Sequence, residues 1–348
     1  MNDNRPLAVL GATGYTGGLV LEQARTIGLP IRLVGRRREA LKSLARADEE
    51  VRVADAGREA ELIAAFEGAF AVASTAGPFL RVGTKPVGAA IAVGAHYLDT
   101  SGEQAFGRVV YEGFGESAEE RGVVLLTSFG FDYVPGDVAA RLAAEQLSGP
   151  IDEIVVAYSV TGQGTSRGTR ATIADVLAQP QVAWEGRLVP SRFGKTTRRV
   201  KFPFGEAGVV EWGGTEPLSV PRHTDVRRVR SYLRQPRAAA LGGLVGPGVA
   251  PLVRLGGRLG GSPSESKRRG NRFTVLAEAR RGAQCRRAVL TGYDTYGLTA
   301  VLIARGAEAL RAGEARGVGA LAPAEAFDVH SFAPRLAPLL ELGPVEPC

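Results

Sequence analysis

The sequence predicts a two-domain α/β protein: a doubly wound parallel sheet carrying an inserted α+β domain built on an antiparallel sheet. Three observations carry that prediction. Strand-like and helix-like segments alternate from Leu7 to about Leu147, the pattern of a parallel sheet with helices on both faces. Within it, Phe70-Ala-Val-Ala-Ser-Thr75 and Val123-Val-Leu-Leu-Thr-Ser128 run on without alternation, as strands covered on both sides should. Near Pro150 the pattern changes: Glu153-Ile-Val-Val-Ala-Tyr-Ser-Val160 alternates like an antiparallel strand with one exposed face. A chain of 348 residues exceeds one ordinary domain. The reading divides it into a parallel-sheet domain at 1–130, an inserted domain at 131–291, and a return to the first domain at 292–348.

The first element is the most informative. Leu7-Ala-Val-Leu10 is a short apolar strand that breaks into Gly11-Ala-Thr-Gly14-Tyr-Thr-Gly17, and an amphipathic helix follows to about Ile27. Strand, glycine turn and helix in that order describe a Rossmann-type dinucleotide site, although the spacing departs from G-x-G-x-x-G. Gly11 permits the turn, Gly14 lets a pyrophosphate reach the backbone, and Gly17 lets the helix pack close to the strand. Thr13, Tyr15 and Thr16 share this turn, where helix N–H groups face phosphate. An ordinary strand–helix turn is the bland alternative.

The second strand, Ile31-Arg-Leu-Val34, ends in Gly35-Arg36-Arg37-Arg38. An NAD site would place an acid here for the ribose 2′-hydroxyl. Arginines instead suit a 2′-phosphate, which a guanidinium grips bidentately. Gly35, Arg36 and Arg37 therefore point to NADP(H), against the alternative of a solvated basic turn. After a third strand at 51–54, Asp55 is placed either to bond the adenine amino group or to cap the helix Arg58–Phe66. The fourth strand ends in Thr75-Ala76-Gly77-Pro78-Phe79, at the carboxyl edge where such sheets bind ligands. Small residues there admit the nicotinamide ribose, and Pro78 and Phe79 can wall its ring.

Further strands are expected at 96–100 and 123–128, then at 181–189, 195–203, 207–212, 225–232, 272–280 and 283–291. A helix at about 168–179 and a last helix from Tyr296 to about Arg311 complete the reading. Residues 237–270 read as a Gly-interrupted helix and a mobile loop. The apolar run Leu241–Leu259, broken by Arg254 and Arg258, also admits a lid or a peripheral membrane contact.

Bulk properties narrow the classes. The apolar content of 45% supports large cores, and the N-terminus lacks a charged-then-apolar signal, so a cytoplasmic protein is expected. Two cysteines, Cys285 and Cys348, suggest neither a disulfide framework nor a thiolate metal cluster, and three dispersed histidines lack ligand spacing. No metal is expected. The net charge of +7 is scattered rather than gathered into a basic stripe with aromatics, which argues against nucleic-acid binding.

Five segments, read together, resemble the saccharopine dehydrogenase-like oxidoreductases, especially the bacterial branch that contains trans-acting enoyl reductases. They are Gly11–Gly17, Thr75–Phe79, His96-Tyr-Leu-Asp-Thr-Ser-Gly-Glu103, Gly130-Phe-Asp-Tyr-Val-Pro-Gly-Asp137 and Gly292-Tyr-Asp-Thr-Tyr-Gly-Leu-Thr-Ala300. The resemblance implies a Rossmann domain, an inserted substrate domain, and NAD(P)H hydride chemistry. It leaves the substrate open, since such proteins reduce imines, unsaturated acyl groups or other compounds. Where members often carry Gly-Phe-Asp-Ser-Val-Pro-Ser-Asp, this chain has Tyr133 and Gly136.

The loop Gly130–Asp137 follows the sixth strand and leads into the inserted domain. Hydride addition to a polarised double bond leaves negative charge that needs a proton or a hydrogen-bond donor. Tyr133 is the candidate donor, and Asp132 orients it or acts through water; a helix cap is the plain alternative for Asp132. Ser101, Thr165 and Arg167 are candidate substrate contacts, the last as an anion partner. The reading is an NADPH-dependent reductase acting on a C=C bond of a small biosynthetic intermediate, free or carrier-bound. Its rivals are C=N reduction of the saccharopine type and a non-catalytic NADP-binding scaffold or redox sensor. The oligomeric state is left open by the sequence, and the inserted domain is where a homodimer would assemble.

Overall fold

The structure is a computed structural model that describes residues 4–162, 179–234 and 263–348. Its contacts divide the chain into two compact units. The first comprises Met1–Ser101, Phe106–Phe131 and Tyr296–Leu321; the second comprises Gly102–Ala105, Asp132–Thr295 and Ala322–Cys348.

The first unit is built on seven strands: β1 (Leu7–Leu10), β2 (Ile31–Gly35), β3 (Glu50–Val53), β4 (Ala71–Ser74), β5 (His96–Asp99), β6 (Val124–Leu126) and β15 (Gly319–Ala320). Their order is β15-β6-β5-β4-β1-β2-β3, and every pairing is parallel. Leu7 pairs with both Ile31 and Ala71, so β1 is central and the winding reverses beside it. β1, β2 and β4 are buried along their whole length, which explains their unbroken apolar character. Val72, Tyr97 and Leu125 form one core with Val87, Ala90, Phe106 and Val110 from the helices. Tight helix approach depends on Gly17, where a Cβ would run into the Gly11 carbonyl.

In the second unit ten strands form a mixed sheet. The path is β10 (Thr197–Phe202), β11 (Gly205–Glu211), β12 (Arg228–Arg234), β7 (Glu153–Thr161), β13 (Arg272–Arg281), β14 (Gln284–Tyr293) and β16 (Leu340–Leu342). β8 (Gln181–Glu185) and β9 (Leu188–Ser191) form a hairpin beside β12, and β17 (Glu346–Pro347) joins β14. Helix α8 (Val134–Ala144) packs on β7, β13 and β14, and ten of its residues are buried.

Five expectations are corrected. The sheet is not purely antiparallel, because β12 and β7 run parallel. The single strand at 181–189 is two strands, turned where Gly186 adopts a φ of 69°. Within 237–270, the charged stretch Glu265–Gly270 is a helix capped by Ser264, whose side chain accepts from the Lys267 N–H. The C-terminal stretch does not return whole to the first unit: Tyr296–Leu321 does, whereas Ala322–Cys348 joins the second through β16 and β17. That last pairing also brings Cys348 to Cys285, and the two form a disulfide although 63 residues separate them. The sequence suggested no disulfide because a pairing between chain-distant strands leaves no local signal. The expected helix at about 168–179, apart from its last residue, and the apolar run 241–259 fall outside the described residues.

Candidate functional site

Two sets of residues stand out, one in each unit. The first lies at the carboxyl ends of β1, β2 and β4. Gly11 has a φ of 86°, and a Cβ there would meet the Thr75 hydroxyl at 2.7 Å, so the β1 and β4 ends approach closely only because the residue is glycine. Thr75 Oγ1 donates to the Leu10 carbonyl at 3.0 Å and fixes that approach. Gly14 is exposed and caps helix α1 (Tyr15–Thr26) with Tyr15 and Thr16 behind it. No side chain caps α1 and no acid occupies its first turn, so its N–H groups remain suited to an anion.

Arg36 and Arg37 are exposed just beyond Gly35, and Arg37 donates to Thr13 Oγ1 at 3.3 Å, linking the basic turn to the glycine turn. Asp55 accepts from the Gly57 N–H at 2.8 Å, a local turn, and helix α3 (Glu59–Phe66) begins beyond it with Arg58 at the cap position. Ala76, Gly77 and Pro78 lie at the solvent edge after β4. Phe79 does not join them: it is buried, with its ring 5.5 Å from Phe106, and belongs to the core. A dinucleotide fits this edge, since the exposed Gly14, the uncapped helix end and the arginines match its phosphates.

The same edge holds Asp99, which the sequence admits as either a ligand contact or a helix cap. Asp99 is fully buried, and one of its oxygens accepts from the Ser101 and Ser128 N–H groups, each at 2.8 Å. Burial pushes its carboxyl up to about 6 despite those bonds. Asp99 thus knots the chain after β5 to the chain after β6. Ser101 is buried there, its N–H spent on this knot.

In the second unit, Asp132 is exposed to solvent yet closely surrounded by protein, and desolvation pushes its carboxyl up to about 6. It is accessible, shifted toward neutrality, and without a hydrogen-bond partner among the described residues. Tyr133 is placed differently from expectation. It is buried, its ring stacks on Trp212 at 5.9 Å, and its hydroxyl donates to the Gly102 carbonyl at 2.7 Å. Its proton is therefore committed to backbone, which corrects the expectation of a free donor.

Behind Tyr133 lies a group the sequence did not disclose. Glu216 is fully buried; it accepts from the Tyr158 hydroxyl and, at 2.5 Å, from Ser231 Oγ. Burial pushes its carboxyl up to about 7. A Cβ on Gly136 would collide with both Tyr158 and Glu216, and one on Gly214 would collide with Glu216 and Ser231. The glycine at 136 thus has a local reason. Nearby, Asp137 accepts from His223 Nε2 at 3.0 Å and from the Ala324 N–H at 2.8 Å; burial opposes its charge, but His223 and these bonds hold its carboxyl below the usual range. Asp137 is structural. Thr165 and Arg167 lie outside the described residues.

Comparison with known proteins agrees with the cofactor edge. Residues 11–96 match a family described as NAD(P)H-binding, so the first unit carries an NAD(P)H-binding Rossmann domain. The chain is similar to a trans-acting enoyl reductase of Mycobacterium bovis, with 30% identity over 207 residues, covering 56% of this chain and 50% of the relative. It is also similar to a saccharopine dehydrogenase-like oxidoreductase of Bos taurus, with 30% identity over 168 residues, 42% of this chain and 39% of that one. The chain spans about half the length of the first of these relatives. The fold resembles apo saccharopine dehydrogenase (L-Glu forming) from Saccharomyces cerevisiae, with a TM-score of 0.59, 11% identity and 95% of each chain covered. No helix among the described residues is long and apolar enough to cross a membrane.

Proposed function

We propose that the chain is an NADPH-dependent reductase in which Asp132 protonates a small, polarised C=C substrate of the enoyl type. Its accessible carboxyl, without a hydrogen-bond partner among the described residues and next to a Tyr133 whose hydroxyl is spent on backbone, is the observation that carries this reading. A group titrating near the working pH is suited to give up a proton in the rate-determining step and recover it from solvent. NADPH, when bound, supplies the hydride. The chain's own residues do the rest: Arg36 and Arg37 grip the 2′-phosphate, the α1 N-terminus holds the pyrophosphate, and Asp132 supplies the proton that completes the saturated C–C bond. The similarity to proteins named trans-acting enoyl reductase supports the choice of C=C over C=N. The protein is taken as cytoplasmic and its substrate as a small molecule, free or on a carrier.

The test is NADPH oxidation against a panel of enoyl thioesters and cyclic imines, with the parent and Asp132→Asn. Oxidation with an enoyl thioester, reduced about 10²–10⁴-fold in the variant, is expected for general acid assistance. Turnover of imines alone transfers the proposal to C=N chemistry. Tight NADPH binding with no turnover on any member favours the scaffold.

A further inference from the structure

The proposed reaction leaves one chemically distinctive place unused: the disulfide Cys285–Cys348 on the outer edge of the second sheet. Cys285 is half-buried on β14, directly across from Arg280 on β13, and Arg286 and Arg287 follow it. Cys348 is exposed, one residue beyond β17. Glu278 adjoins both sulfurs, a carboxylate oxygen and the two Sγ atoms lying within 4.8 Å of one another. Its charge is matched twice, by Arg287 at 2.6 Å and Arg280 at 2.9 Å, so two cations offset the carboxylate beside the disulfide. A groove of about 620 Å³ reaches Arg280 and is lined also by Arg227, Arg228, Asp152, Glu153 and Glu185.

We propose that Cys285–Cys348 is a reversible thiol-exchange site for a small zwitterionic thiol of the glutathione class. Access selects the sulfur attacked. The incoming thiolate bonds to the exposed Cys348 Sγ, the S–S bond breaks, and its electron pair leaves on Cys285 Sγ as a thiolate. Arg280, opposite Cys285, stabilises that leaving thiolate, as a cation beside sulfur does. A second thiolate then attacks the mixed disulfide and releases Cys348. The balance is two small thiols oxidised to their disulfide and one protein disulfide reduced to two thiols; the small disulfide reverses it. The groove's arginines suit the carboxylates of such a thiol and its acids suit the ammonium.

Opening has a structural consequence. β17 pairs with β14 only at Arg286–Pro347 and Arg287–Glu346 among the described residues, whereas β16 holds Leu290–Gly292 independently. Without the covalent link, the two-residue ladder does not hold, and the β14 edge around Arg286 and Arg287 loses its partner. This proposal does not rest on the reductase reading, since its test needs neither cofactor nor substrate.

The test treats the intact folded protein with reduced glutathione, quenches with an alkylating agent, and follows peptide masses and amide hydrogen exchange. The bond should open without denaturant, with glutathione on Cys348 in about tenfold or greater excess over Cys285. Exchange should rise at 286–289 and stay unchanged at 7–10. Arg280→Gln should slow opening several-fold with an unchanged melting temperature. A bond that opens only on unfolding, or glutathione found chiefly on Cys285, overturns the proposal. An unchanged rate in Arg280→Gln overturns the role of the arginine.

Discussion

Glu216 accepts the Tyr158 hydroxyl bond in the space left by the missing side chain of Gly136. The first turn of α8 therefore rests directly on a buried acid, and the identity of residue 136 is coupled to Glu216, far along the chain. Gly136→Ser should destabilise the protein by about 1–3 kcal/mol through overpacking. Adding Glu216→Ala should recover part of that loss, because it vacates the volume the new side chain needs. Denaturant unfolding of the two variants measures the coupling. Additive losses would show that the two residues do not compete for one space.

The raised carboxyl of Glu216 makes stability depend on pH in a definite direction. Its folded value is about 7 against an ordinary value of 4.5, so the folded state holds the proton more tightly than the unfolded state. Its contribution to stability should be greatest below the ordinary value and be lost as pH rises through about 7. Glu216→Gln, which mimics the neutral acid, should remove up to about 3 kcal/mol of that fall. Asp99 and Asp132, each pushed to about 6, act in the same direction and leave a residual slope. Urea unfolding at pH 5 and pH 8 checks both the sign and the difference.

Tyr133 and Asp132 are neighbours with opposite expected phenotypes. Tyr133→Phe removes only a hydroxyl bonded to Gly102 and should cost about 1 kcal/mol of stability. Its turnover should stay within about threefold of the parent, well short of the general-acid range that Asp132→Asn should show. Single-turnover NADPH oxidation separates the two. A Phe variant as crippled as the Asn variant would return Tyr133 to the chemistry.

Cofactor preference should follow the basic turn. Each charge-assisted contact to a 2′-phosphate contributes about 1.5–3 kcal/mol, so Arg36→Ala should weaken NADPH binding about tenfold or more and hardly touch NADH. Fluorescence titration with both nucleotides provides the comparison, and equal affinity of the parent for the two would remove the arginines from recognition.

Gly14→Val should abolish nucleotide binding while leaving the fold largely intact. A Cβ at this exposed cap has only the Gly11 carbonyl within reach, at 3.1 Å, so the branched side chain occupies the space of the phosphates more than that of the protein. Circular dichroism alongside the titration distinguishes loss of binding from loss of fold. Parental binding would place the phosphates elsewhere.

The parallel sheet and the glycine turn were legible in the sequence because both are local. Each of β1 to β6 is a run of three to five residues, and Gly11, Gly14 and Gly17 lie within one turn of chain. Arg36 and Arg37 were legible for the same reason, as charges placed where a strand ends. The sequence also set Asp132 and Tyr133 side by side in one motif as candidates. What it could not decide was which of the two is buried and bonded to backbone. That depends on Gly102, 31 residues before Tyr133, and on Glu216, whose approach to Tyr158 is a property of packing rather than spacing. The parallel pairing of β7 with β12, the burial of Phe79 beside Phe106, and the meeting of Cys285 with Cys348 were likewise settled by tertiary structure. Each joins segments with no shared periodicity, and the energy that holds them comes from burial and hydrogen bonds formed only once the chain has folded.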